Sequence, residues 1–425
     1  MITPRLLLGE TMTITEAINI VDPAIYEQGI PHETFRWMRH NAPVYRHEYA
    51  DGDFWAVTRY NDIIQVTRDW ETFSSAKKMV NLWDLSDEAM EARRSIIESD
   101  PPIHARLRKL AMPPFTLRKV TDYEAATRKI AGTLLDAAVN DSNVDLVTAI
   151  SSPLPIQVIV NILGVPSEDT AYMVELSDHL VEGTTGEPLV PDAYGNKTPL
   201  ELLPFNSPAA FALFEYGRKL GDERRANPHE DVVSTLVHSQ VDGEHLTETE
   251  FANFFQVLVF AGNETTRTAI SNGLHAFMDN PDQLEKFYDN PDLLENAVEE
   301  IIRYATPVLH FRRTATKDTE IAGNPIAAGD KVVMWYASSN FDEEFFENPL
   351  KFDVSRPTRP KHLAFGAQGP HHCIGASLAR LEIKILLEEM RKRRIFLERT
   401  GNIVRTRSNF VNGVLSLPAR VKQGG

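Results

Sequence analysis

The 425-residue chain contains one cysteine, Cys373, in surroundings that suit a reactive or metal-binding thiol. It ends the run Phe365-Gly-Ala-Gln-Gly-Pro-His-His-Cys373 and is followed by Ile374-Gly375 and a segment of helical apolar spacing. Glycines at 366 and 369 would let backbone approach a flat ligand as bulky residues cannot. The start of the next helix aims amide N–H groups and positive potential at the sulfur, which favours thiolate. A stabilised thiolate in such a loop suits metal ligation or nucleophilic attack. With a single thiol, neither an intrachain disulfide nor a Cys-rich zinc or iron–sulfur site can form. A cysteine hydrolase would need a base and a third orienting group, and His371 and His372 flank the sulfur too closely to settle such an arrangement.

Three other patterns pair chemistry-bearing residues at helical spacing. Ala261-Gly-Asn-Glu-Thr-Thr266 follows Val257–Phe260, which is apolar all round. A polar cluster in the middle of a buried helix costs stability unless it is hydrogen-bonded or watered, so a solvated face does not explain it. Glu300 and Arg303 stand at i and i+3 on one helix face and can pair, although an ordinary surface ion pair has the same spacing. His104 and Arg108 stand at i and i+4; taken alone, His104 reads equally as a surface histidine.

The elements that position these groups are mainly helical. Thr247 and Glu250 form a capping box, and the periodic run behind it reaches about Met278, just before Pro281. About 31 residues at 1.5 Å each span roughly 46 Å, so this helix crosses the molecule. Further helices are expected over about Pro291–Tyr304 and Gly375–Arg393, and the pattern is largely helical after Pro101-Pro102. Short strands are expected from Val44 to Val66, around an Asp51-Gly52 hairpin signal, and from Glu320 to Trp335, with a turn at Ala328-Gly329-Asp330. A Pro-, Phe- and Asp-rich stretch then leads to Cys373. The fold class is mainly α with a small β part. No repeat or linker divides the chain, so a single folded unit is expected over 21–425, behind a loose segment 1–20.

Sixty acidic residues against 44 basic ones give a net charge of −16, which excludes a general electrostatic grip on nucleic acid or an anionic membrane. The chain is 42% hydrophobic and 24% charged, with a mean hydropathy of −0.27, values of a soluble globular protein. Leu6-Leu7-Leu8 is too short for a signal peptide, Glu10 interrupts it, and no run nears the roughly 20 apolar residues of a membrane span. A cytoplasmic location is expected.

Together these motifs resemble the cytochrome P-450 family of haem-thiolate monooxygenases. The family signature runs Phe, two residues, Gly, one residue, His or Arg, one residue, Cys, one residue, Gly. Gly369, His371, Cys373 and Gly375 fall in place, while Phe365 stands one position further away, an insertion at Ala367-Gln368 that some bacterial members share. The resemblance implies a cytochrome P-450 fold with its long central helix over haem b. It makes Cys373 the axial iron ligand, with Phe365, Gly366 and Gly375 around it. Glu264 and Thr265 match the family's acid–alcohol pair over the haem, Thr265 donating a hydrogen bond there and Glu264 helping to deliver protons through water; Ala261 and Gly262 leave room for dioxygen. His104, Arg108, Arg313 and His371 match contacts to the haem propionates, a role that suits the arginine fork. Glu300, Arg303 and Arg356 match an ion network that is structural.

The implied activity is insertion of one oxygen atom of O2 into a C–H bond of a lipophilic small molecule. Electrons would come from NAD(P)H through a ferredoxin reductase and ferredoxin, since no flavin or iron–sulfur domain is visible. The stretches AGNETTR, SSNFDEEFF and SNFVNG look most like bacterial members acting on steroid side chains, methyl-branched lipids or terpenoids. A steroid or lipid-like substrate is favoured over a terpenoid or small aromatic one. A non-catalytic haem-binding protein is opposed by the intact Glu264–Thr265 pair, which peroxide-driven relatives often lack. Substrate contacts are expected at Val259-Phe260, Pro307–His310 and Ser408–Gly413, under a lid from Met79–Ser99 and 180–210, with Trp83 and Phe410 able to shape the pocket. From Arg356 to Arg394, nine Lys/Arg and three Asp/Glu give a local +6, read as a docking face for an acidic ferredoxin around the thiolate; a solvated helix end is the other reading of Arg391–Arg394.

Overall fold

The computed structural model describes residues 18–139, 141, 143–185 and 190–424. Most of the N-terminal segment expected to be loose lies outside these residues; within them, Ile18 and Ile20 are buried in one apolar cluster with Tyr26 and Phe35.

In chain order, α1 (His32–Asn41) precedes a hairpin of β1 (Val44–His47) and β2 (Phe54–Val57), whose turn holds Gly52 at φ +97°. After α2 (Tyr60–Arg68) and β3 (Phe73–Ser74) come α3 (Asp87–Arg93), α4 (Ile103–Ala111), α5 (Glu124–Val139), α6 (Pro153–Leu163), α7 (Thr170–Thr185) and α8 (Pro208–Ala226). The long helix is α9 (Glu248–Asp279), 32 residues with both halves of the Thr247–Glu250 capping box formed. Behind it, Pro291–Leu293 is a separate 3₁₀ turn before α10 (Leu294–Ala305), so the helix expected from Pro291 starts one turn later. Then follow β4 (His310–Ala315), β5 (Lys331–Trp335) and α11 (Ala376–Arg393).

The main sheet is ordered β1-β2-β5-β4-β3; only β2 and β5 run parallel, with Phe54 opposite Lys331. The segment Glu320–Trp335 contains the expected strands, a small hairpin of Thr319–Ile321 with Asn324–Ile326 and then β5.

The largest apolar cluster surrounds α9. Glycines let its neighbours close in on it. A Cβ at Gly217 of α8 would stand 2.8 Å from the Phe255 ring, and one at Gly273 of α9 would stand 2.8 Å from Ile301 of α10. Such contact distances leave no room for even one methyl group without movement of a packed partner.

The irregular stretch between β5 and Cys373 is tied down by Glu300, whose side chain is fully buried. Its carboxylate accepts from Arg303 Nε (2.7 Å) and Nη2 (2.9 Å), from Arg356 Nε (2.9 Å) and from the Asp353 amide (3.0 Å). Arg303 Nη1 donates to Asn340 O (2.8 Å), and Asn340 Oδ1 accepts from the Leu363 amide (2.7 Å). These bonds lead from α10 to within ten residues of the cysteine. Glu300 and Arg303 are therefore not a surface ion pair.

A candidate active site around Cys373

Cys373 sits where the irregular stretch turns into α11, its amide donating to Phe365 O (2.9 Å). Gly366 takes φ +71°, a left-handed turn that favours glycine. Gly369 has another duty: a Cβ there would lie 2.2 Å from Thr67 O, so the bare backbone is needed to pack against the end of α2. Gly369 lines the cavity as well, as Gly366 does. The sulfur lies deep in the protein but open to an internal cavity. Burial pushes the Cys373 thiol up, while the amides of Gly375 and Ala376 and the cations Arg108 and Arg380 pull it down. Burial thus opposes the thiolate that the helix start was expected to favour. A cationic metal on the sulfur supplies what is missing, because a coordinating thiol is deprotonated outright.

The cavity has about 1610 Å³ of space, mouth included. Cys373, Phe365, Gly366, His371 and Gly375 line it, as do Ala261, Gly262, Thr265 and Thr266 of α9. Between them the wall is apolar, built from Ile96, Phe115, Phe254, Leu258, Val308 and Phe311 among others.

His104 and Arg108 from α4, Arg313 from β4, and His371 line the same cavity. The two imidazole rings lie 4.2 Å apart, and Nε2 of each is buried without a hydrogen-bond partner. Burial and the neighbouring arginines lower His104 to about 4 and His371 to about 2; burial also lowers Arg108 and Arg313. Two arginines facing one cavity with two unsatisfied histidines form a site for an anionic group.

Haem satisfies both observations, since its propionates match this cationic end and its iron matches the sulfur. Among the described residues no cluster of three His, Cys, Asp or Glu could hold a metal ion. A metal on Cys373 would therefore have to bring its remaining ligands with it, as a porphyrin does.

The acid–alcohol pair divides between two faces of α9. Thr265 faces the cavity, its Oγ1 donating to Ala261 O (2.7 Å). Glu264 is not part of the cavity wall, which corrects the expectation that it stands over the haem. Its buried carboxylate lies 3.6 Å from Arg267 Nη1, and Arg267 in turn bonds Asp178 Oδ1 (3.0 Å), whose side chain is 45% exposed. Burial raises the Glu264 carboxyl to about 7, Arg267 opposing and Asp178 adding to the shift.

Of the expected substrate contacts, Pro307 and Val308 line the cavity, as do Ile96 and Ile97 from the Met79–Ser99 stretch. Val259, Phe260 and Ser408–Gly413 do not, nor does Trp83; Phe410 meets Phe311 edge to face (5.6 Å). His310 points the other way, against Trp335 (4.7 Å). Residues 186–189 of the expected lid lie outside the described residues.

Sequence reasoning missed Glu382 of α11, a cavity-lining carboxylic acid that is buried with Oε2 unpartnered and whose carboxyl burial pushes well above the ordinary range. The signal was an acid among Leu378, Leu381 and Ile385 in an apolar stripe. Part of the basic run is distant from the cysteine. Arg391–Arg394 lie at the far end of α11, about 27 Å from its cysteine end at 1.5 Å per residue. Arg393 pairs with Asp136 and Glu389, and Arg391 stacks over the Phe287 ring (4.0 Å).

The cytochrome P450 family model matches residues 212–399. The steroid C26-monooxygenase of Rhodococcus jostii is 34% identical over 412 residues, 94% of this chain and 84% of that one. The methyl-branched lipid omega-hydroxylase of Mycobacterium tuberculosis is 37% identical over 373 residues, 87% of this chain and 84% of that one. Among solved structures, a Mycobacterium marinum cytochrome P450 in complex with pseudoionone superposes with a TM-score of 0.84 at 34% identity, covering 97% of this chain and 100% of that one. With identity at this level sustained along 94% of its length, the chain belongs to the cytochrome P450 family of haem-iron monooxygenases.

Proposed function

We propose that this monooxygenase hydroxylates an unactivated C–H bond of a steroid or lipid-like molecule, in a single catalytic domain over 21–425. The observation that carries the reading is the division of the cavity. Its hydrogen-bonding and charged groups include those around Cys373 and Thr265-Thr266, with Thr67, Tyr336 and Glu382, and the remaining wall is hydrocarbon. A substrate there is held by apolar contact, and the part presented to the site is hydrocarbon too. The two named relatives, one acting on steroids and one on methyl-branched lipids, support the same class.

Cys373 would hold haem b through Sγ, and His104, Arg108, Arg313 and His371 would hold its propionates. Bound in this way, the haem supplies dioxygen activation, favoured by the electron density that a thiolate gives to iron. The chain's own residues do the rest. Thr265 keeps a hydroxyl at the cavity face, fixed by its bond to Ala261 O. Glu264, connected to solvent through Arg267 and Asp178, exchanges protons near neutral pH and passes them toward Thr265 through water. Ile96, Phe115, Phe254 and Leu258 exclude bulk water and position the hydrocarbon.

Electrons would reach the site from NAD(P)H through a ferredoxin reductase and an acidic ferredoxin. Docking is assigned to the cysteine end of α11, where exposed Lys361 acts on His372, and not to Arg391–Arg394. No helix among the described residues is long and apolar enough to cross a membrane; a cytoplasmic location is part of this proposal.

Titration of the haem-loaded enzyme with a panel of steroids, branched fatty acids, terpenoids and small aromatics tests the substrate class. Steroids or branched lipids should displace the water on iron, seen as a shift of the Soret band. Shifts with small aromatics and none with either lipid class would overturn the assignment.

A further inference from the structure

Glu300 of α10 ties down the stretch that leads to Cys373, and its neighbour Glu299 has a different partner. The Glu299 carboxylate accepts from Arg380 of α11, Nε to Oε1 and Nη2 to Oε2 (3.1 Å), a two-pronged grip on the guanidinium. His362 Nε2 lies 3.2 Å from the same Oε2. Burial would raise the Glu299 carboxyl, but His362 and Arg380 bring it down to about 2, so it stays ionised and keeps its grip.

The guanidinium so held lies over the Phe365 ring, 4.4 Å from its centroid, and its Nη1 donates to Ala376 O (3.3 Å). Phe365 lines the cavity and its carbonyl accepts from the Cys373 amide (2.9 Å), while the Ala376 amide reaches Cys373 O (3.5 Å). Arg380 thus touches both residues whose backbone bonds the cysteine. Two cations act on the sulfur, Arg108 and Arg380. Arg108 belongs to the set assigned to the haem propionates, which would match its charge; Arg380 stands outside that set. A guanidinium stacked on a ring and bonded on two sides is a charge in a fixed place.

We propose that Arg380 is a positioning residue for electron uptake: its positive charge, clamped over Phe365 by Glu299, raises the reduction potential of the iron held by Cys373. Reduction adds one electron to the iron, supplied by the redox partner, and no bond forms or breaks. A nearby cation stabilises the state that carries the extra negative charge, and the groups around an axial ligand are levers on the potential of haem. The inference rests on Cys373 as the ligand to iron and goes beyond the substrate and proton readings above.

Redox titration of the haem-loaded enzyme tests this, with the carbon monoxide spectrum recorded for each variant. Arg380→Gln and Arg380→Met should each shift the reduction equilibrium about tenfold toward the oxidised form, about 59 mV for one electron, and keep the red-shifted Soret band. Arg380→Lys keeps the charge without the fork and should shift it less than about threefold. Glu299→Gln removes the counter-charge while leaving Arg380 an acceptor, and should shift the equilibrium the other way; it decides the matter if the neutral variants do not retain haem. Arg391→Gln, at the distant end of α11, should shift nothing. Potentials equal to wild type in folded Arg380→Gln and Arg380→Met proteins, a fall as large in Arg380→Lys, or a fall in Glu299→Gln would overturn the proposal. A wild type without the band would instead overturn Cys373 as the ligand.

Discussion

Glu264 should cost the fold stability at neutral pH, and the cost can be worked out. In the unfolded chain its carboxyl titrates at its ordinary 4.5; in the fold burial raises it to about 7. Folding therefore favours the neutral acid. Below pH 4.5 the group is protonated in both states and its contribution is at its most favourable. Between pH 4.5 and 7 the unfolded chain ionises first, and stability falls by about 1.4 kcal/mol per unit, roughly 3 kcal/mol in all. Above pH 7 the loss is constant. Glu264→Gln keeps the shape of the neutral acid and never ionises. The variant should be more stable than the parent by about 3 kcal/mol at pH 8 and by less than about 1 kcal/mol at pH 5, measured by urea unfolding at each pH. Its turnover should fall at pH 7, since an amide cannot take up and release the proton that the carboxyl passes toward Thr265. A stability difference that is the same at pH 5 and pH 8 would refute the reasoning, because burial of an ionisable carboxyl would not be its source.

Three further outcomes are expected. Thr265→Ala removes the hydroxyl bonded to Ala261 O and should leave substrate binding unchanged while reducing equivalents are consumed with release of peroxide; oxygen-electrode and product measurements with coupling equal to wild type would count against its role. Glu300→Ala strands Arg303 and Arg356 in the interior and should cost about 3–5 kcal/mol, read by urea unfolding together with weakened haem retention. Lys361→Glu should slow electron transfer from an acidic ferredoxin in a salt-dependent way, while Arg391→Glu should not, because that arginine is stacked at the distant end of α11.

What could be read from the sequence was local. The capping box fixed the start of α9 to the residue, because the motif and the bonds it makes lie within four positions. The loop around Cys373 and the Glu300–Arg303 pairing were visible for the same reason. Contacts between distant segments were not. The 4.2 Å approach of His104 to His371 joins parts of the chain that no spacing rule relates, and only the family resemblance suggested it. Helix faces were a second limit. Glu264 and Thr265 are neighbours in sequence but stand about 100° apart on α9, so one faces the cavity and the other an ion pair. Third, residue type did not reveal every duty: Gly369, on the cavity wall, also meets Thr67 O, and Arg391 and Arg393 of the basic run are engaged by Phe287, Asp136 and Glu389.

The proposed site depends on Cys373 as the ligand to iron. The most direct test is the spectrum of the reduced protein under carbon monoxide, recorded for wild type and for Cys373→Ala with haem content measured in both. The wild type should show the red-shifted Soret band of thiolate ligation from which the family takes its name, and the variant should lose it even where haem is retained. A variant that keeps the band would contradict the assignment of the axial ligand, and with it the site as described.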